Sequence, residues 1–165
     1  MNKYTMNQRQ AREACLIYLY QLLFEKKLAD EQAIAFNFEK FLSDNLNNLN
    51  YILQEKYKTP KSLNIVDNEL VVLIIKKSND ITNFQNFLQN FIDNRDFNSL
   101  GLMEQAILIL SFIQLKYSDY PYQIIINESI ELAKQFCDDN TYKFINGVID
   151  KVIITLNKQS HENEK

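Results

Sequence analysis

Two arginines three residues apart near the start of the chain, Arg9 and Arg12, and the run Tyr142-Lys143-Phe144 near its end are the residues whose types and spacing could engage a ligand. On a helix, Arg9 and Arg12 share a face. Basic side chains in a first helical turn oppose the macrodipole, at a cost of up to about 1 kcal/mol each, so an anion is the natural complement. Exposed N–H groups, the dipole and two guanidinium forks suit phosphate oxygens. The plainer alternative is two solvated arginines, one pairing with Glu13 or another acid. Tyr142 and Phe144 could stack on unpaired bases while Lys143 meets the backbone. The alternative there is core packing for Phe144 and a snorkelling Lys143. Tyr20, eight residues after Arg12, lies near the same face and is either buried or turned to a partner.

Enzymatic chemistry finds little support. The sole histidine, His161, stands in a polar tail, which removes the usual histidine-assisted nucleophiles and histidine-rich metal sites. There is no glycine-rich phosphate loop. Asp138 with Asp139, and Glu128 with Glu131, read as a helix end and a solvated face. No enzyme, metal or cofactor is expected.

Charge is unevenly spread. The net value is −3, yet residues 1 to 12 carry Lys3, Arg9 and Arg12 without an acid, leaving −6 for the remainder. Arg95 is the only other arginine in a chain rich in asparagine, isoleucine and lysine, a bias that looks like an AT-rich genome. Arginines that survive such a bias carry more information than usual. Cys15 and Cys137 are read as reduced core residues of a cytoplasmic protein, a disulfide between them being the alternative. No apolar run reaches the roughly 20 residues of a membrane span.

The elements that must hold these residues are helices. With two glycines and two prolines in 165 residues, β-turn chemistry is nearly absent and an all-α bundle of about six or seven helices follows. The first is expected from about Asn7 to Lys27, apolar almost all round from Ala14 to Phe24. A second spans about Asp30 to Lys58, with a break near Asn37 and an end at Pro60. A third starts near Val66 and yields around Ser78 to Asp80 to a fourth carrying Phe84, Phe87, Leu88, Phe91 and Ile92. The fifth runs from about Leu100 to Lys116. Pro121 opens the sixth, whose polar stripe is Asn127, Glu131, Lys134, Gln135 and Asp138. Thr141 caps the last, whose apolar side is Ile145, Val148, Ile149, Val152, Ile153 and Leu156. Gly147 lies within that helix, at about 1 kcal/mol relative to alanine, and a close backbone neighbour is the expected reason. Residues 1–158 are expected to form one domain and 159–165 a frayed polar tail.

"PYQIIINESIELAKQFCDDNTYKFINGVIDKV", residues 121 to 152, resembles the signature of the NusB family of bacterial transcription antitermination factors. The matching pieces are Pro121-Tyr122, Ile126-Asn127-Glu128, Glu131 to Lys134 and Phe144 to Val148. "RQAREACLIYLYQ" is similar to the family's arginine-rich first helix and "LGLMEQAILIL" to its fifth. The resemblance implies a non-enzymatic NusB-like adaptor of the cytoplasm. It would bind single-stranded boxA RNA of ribosomal RNA leaders together with NusE, a small-subunit ribosomal protein, and help RNA polymerase resist termination. By position it assigns Lys3, Arg9, Arg12, Asn140, Tyr142, Lys143 and Phe144 to RNA, and Tyr20 and Glu104 to NusE. Gln8 and Gln10 thin the basic arm, and Ile109 stands where the family usually has a basic residue. A NusB-fold interaction module that has lost RNA binding is the rival. Whether the chain forms a homodimer stays open, because a face that buries a twin reads like one that docks NusE.

Overall fold

The computed structural model describes residues 7–58 and 68–163, all its regular elements being helical. The chain divides into two compact units, residues 1–79 and 80–165.

The first unit holds α1 (Gln8–Glu31), α2 (Phe38–Tyr57) and α3 (Glu69–Lys77), with α1 packed on both of the others. Asparagines start all three. Asn7 Oδ1 accepts from the Gln10 N–H at 2.8 Å while Gln10 Oε1 accepts from the Asn7 N–H, a reciprocal capping box. Asn37 accepts from the Lys40 N–H, and Asn68 from those of Leu70 and Val71. The break expected near Asn37 is therefore an N-cap.

Helix α1 ends without a glycine. Ala33 takes a left-handed conformation (φ 53°), its N–H bonding the Asp30 carbonyl, while the Ile34 N–H reaches back to Ala29. This is a Schellman closure on a residue whose Cβ resists it.

Leu16, Leu19, Leu22 and Leu23 of α1 are buried, as are Phe41 and Leu49 of α2 and Leu70, Val71 and Ile74 of α3. Tyr18 packs at a tilt of 59° against Phe41, with ring centroids 5.6 Å apart, and its hydroxyl lies 2.8 Å from Ser78 Oγ. The Ser78 hydroxyl donates to the Ile75 carbonyl, so the shared proton comes from Tyr18. The apolar surface that runs almost all round α1 from Ala14 to Phe24 is not covered on every side. Tyr20, Phe24 and Leu28, spaced by four, form an exposed stripe.

The second unit holds α4 (Ile81–Gln89), α5 (Leu102–Tyr117), α6 (Tyr122–Phe136) and α7 (Thr141–Asn163). Helices α5, α6 and α7 pack on one another, and α4 packs on α5 through Phe84 and Phe87, which meet Phe112 at 5.3 and 4.9 Å between centroids. Every residue from Gln105 to Gln114 is buried, and Ile109 is wholly so. An apolar side chain is at home there. Pro121 sits one residue ahead of α6, its carbonyl accepting from Ile124 and Ile125. The polar stripe of α6 is exposed throughout, and Ile145, Val148, Ile149 and Val152 of α7 are buried as their spacing predicts.

Two expectations fail in α7. The helix continues to Asn163, so the start of the polar stretch is helical rather than frayed. Gly147 has an open side: a Cβ built on it meets nothing within 4 Å. Among the described residues no backbone approaches it, and the expectation of a close backbone neighbour fails. The expected helix end at Pro60 lies outside the described residues.

Candidate nucleic-acid interface

On the first unit the basic arm is less open than its spacing suggests. Lys3 lies outside the described residues. Arg9, in the first turn of α1, is exposed, and no acid stands beside it in that turn. Arg12 is only 4% exposed. Side chains three residues apart on a helix stand only about 60° apart around its axis, and here the boundary between the open and the covered side falls between them. Arg12 therefore does not share an open face with Arg9. Its positive charge is felt by Cys15, whose thiol is pushed up chiefly by burial and drawn the other way by Arg12. Glu13, the residue expected to pair with an arginine, is buried and accepts from Lys56 Nζ and Tyr57 Oη. Tyr20 is 36% exposed and opens the stripe continued by Phe24 and Leu28.

On the second unit, the residues assigned to RNA cluster where α6 gives way to α7. Asn140 is exposed and left-handed (φ 73°), a conformation asparagine tolerates better than most residues. Its carbonyl accepts from the Lys143 N–H at 3.0 Å, and the Asp138 carbonyl accepts from the Thr141 N–H at 3.1 Å. This turn fixes where Tyr142, Lys143 and Phe144 emerge. Lys143 is exposed, and both aromatics are half-buried.

Each aromatic has a cation against it. Lys134 Nζ lies 4.9 Å from the Tyr142 ring centroid, with Lys143 Nζ at 6.0 Å, and Arg95 Cζ lies 4.6 Å from the Phe144 ring centroid. Lys134 and Arg95 are the residues that sequence reasoning missed. Lys134 was visible only as part of a solvated stripe. Arg95 was conspicuous as one of three arginines, but nothing in local spacing joins it to Phe144.

Glu104 occupies the first turn of α5, half-buried, with its carboxylate folded back over Gly101. With Asp138 it adds to the burial that pushes the Cys137 thiol up to about 11. Both cysteines are free thiols. Among the described residues no cluster of three or more His, Cys, Asp or Glu side chains could hold a metal ion, and no helix is long and apolar enough to cross a membrane.

Comparison with known proteins identifies the family. Residues 9–153 match the model of the NusB family. The transcription antitermination protein NusB of Buchnera aphidicola subsp. Acyrthosiphon pisum (strain Tuc7) is 42% identical over 107 residues, or 64% of this chain and 71% of the relative. The protein of the same name from Pseudoalteromonas translucida (strain TAC 125) is 51% identical over 65 residues, 39% and 48% of the two chains. Among solved structures, T. maritima NusB superposes with a TM-score of 0.65, covering 91% of this chain and 92% of that one at 21% identity, a likeness of fold. The match from Arg9 to Ile153 takes in α1, the Asn140 turn and the first half of α7: the chain belongs to the NusB family.

Proposed function

We propose that the chain is a transcription antitermination factor that binds single-stranded boxA RNA of ribosomal RNA leaders, acts together with NusE in an RNA polymerase complex, and catalyses no reaction. The observation that carries the reading is family membership across residues 9–153, with relatives named for antitermination. The start of α7 supports it chemically. Tyr142 and Phe144, each with a cation against the ring, beside an exposed Lys143, gather aromatic surface and positive charge at one place, the combination that single-stranded RNA requires. Arg9 offers a further phosphate contact on the other unit. The exposed stripe of Tyr20, Phe24 and Leu28 suits a protein partner, and Glu104 is the second candidate contact with NusE.

The burial of Arg12 favours a second reading, because it removes one of two ordered arginines from the arm. In that reading the chain is an interaction module that binds NusE and has lost RNA. A titration of the chain and NusE with labelled leader RNA at several salt concentrations decides between them. A ternary complex whose affinity falls steeply with salt supports the first reading. NusE binding to which RNA adds nothing supports the second, and failure to bind either partner refutes both. Within the first reading, Arg9→Ala should reduce the slope of log K against log salt by about 0.7, the value for one phosphate contact on a single strand.

A further inference from the structure

We propose that Arg95 is an RNA-contacting residue: its guanidinium, laid on the Phe144 ring, offers its outer plane as a stacking platform for an unpaired base. The inference rests on the RNA-binding reading above and assigns a residue that the family resemblance did not.

The first ground is geometry. A Cζ 4.6 Å from the Phe144 centroid places the planar cation against one face of the ring. A base therefore cannot use that face directly. Arg95 is itself exposed, and among the described residues no carboxylate is within ion-pair distance of it. Asp93, two residues away, is occupied by Lys151 at 2.9 Å. The guanidinium thus keeps an open plane and outward N–H donors, which are what an unstacked base and its phosphate require.

The second ground is that the loop is held still. Gln89 clamps it from both sides, its Nε2 donating to the Arg95 carbonyl at 3.1 Å and its Oε1 accepting from the Phe97 N–H at 2.5 Å. Phe97 is buried as an anchor, Asn94 takes the left-handed bend (φ 63°), and Ser99 Oγ donates to the Asp96 carbonyl at 2.6 Å. A platform already fixed loses little freedom when a base arrives.

The third ground is residue choice. Lysine is abundant in this chain and arginine rare. A lysine at position 95 would supply the charge but not the plane.

The test is a titration of the full chain, with NusE present, against a boxA oligomer carrying 2-aminopurine, using wild type, Arg95→Lys, Arg95→Gln and Lys143→Ala. Arg95→Lys should weaken binding roughly 5- to 150-fold and reduce quenching of the fluorescent base, while leaving the salt slope as in wild type. Arg95→Gln should lose a similar factor and also shallow the slope by about 0.7. Thermal melts of both variants should stay within about 4 °C of wild type, since the side chain is exposed and Arg95→Gln loses only its contact with the ring. If Lys143→Ala weakens binding but Arg95→Lys binds and quenches like wild type, stacking by Arg95 is refuted and the RNA reading stands. If wild type shows no salt-dependent RNA binding, the reading falls and the inference with it.

Discussion

Replacing Gly147 with alanine should stabilise the protein, the reverse of what its sequence suggests. Gly147 is the seventh residue of α7, its φ is negative, and its outward side is empty to 4 Å. It shares an exposed face with Lys143, one turn earlier, and with Lys151, one turn later. An alanine Cβ would meet no atom, so no overpacking opposes the change. What remains is the helix propensity difference, about 0.8–1 kcal/mol in favour of alanine, part of it from a less disordered unfolded chain. For a chain of this size that raises Tm by about 2–4 °C. With a urea m-value of about 1–3 kcal/mol/M, the midpoint moves up by roughly 0.3–1 M. Gly147→Leu should gain nearly as much, because leucine ranks just below alanine and the position is exposed. Far-UV circular dichroism in urea reads both variants. A loss of stability in either would mean that something packs on this face after all, and the argument from the empty side would be refuted. Packing among the described residues gives no reason for the glycine.

Four other outcomes can be checked by the same melts. Glu13→Ala should cost about 1–3 kcal/mol, since it strips the acceptor from the Tyr57 hydroxyl and the buried end of the Lys56 pair. Asn68→Ala should cost about 1 kcal/mol by freeing the N–H groups of Leu70 and Val71, whereas Ala33→Gly should gain about 0.5–1 kcal/mol by relieving a left-handed Cβ. Burial pushes the Tyr18 hydroxyl up to about 12, above its ordinary 10, so the folded state holds this proton more tightly than the unfolded one. Stability should therefore be full below pH 10 and fall as pH rises toward 12, by up to about 2–3 kcal/mol, and Tyr18→Phe should flatten that decline in a pH series of urea melts.

The helices were legible because their punctuation is local. Asn7 announces a start by side-chain chemistry, Pro121 stands next to another, and the i, i+3, i+4 spacing of Ile145, Val148, Ile149 and Val152 names the buried side of α7 unaided, whereas Asn37 reads only as a break and the start at Asn68 is expected near Val66. What a helix meets is not local. Gly147 reads the same whether a backbone crosses it or solvent does. Arg9 and Arg12 read as a pair although one is exposed and the other buried, because the part of the helix circumference that is covered depends on partners distant in sequence. The Schellman turn at Ala33 was hidden for the opposite reason: its usual glycine is absent, and two backbone hydrogen bonds hold the left-handed residue.

The three arginines show how far composition can carry a functional argument. Their rarity marked them as informative, and the spacing of two of them suggested a phosphate-binding pair. The structure redistributes that information. Arg12 is drawn into the interior, Arg9 remains as a surface cation, and Arg95, which no motif singled out, lies on an aromatic ring at the very turn the family signature implicates. A guanidinium stays charged under any physiological condition and its delocalised plane tolerates both burial and stacking, whereas an ammonium does neither as well. Those are the demands at positions 12 and 95. A bias toward lysine would leave arginine mainly where lysine cannot serve, so the arginine count pointed to sites of physical need. Which need it was, interior or interface, only the fold could assign.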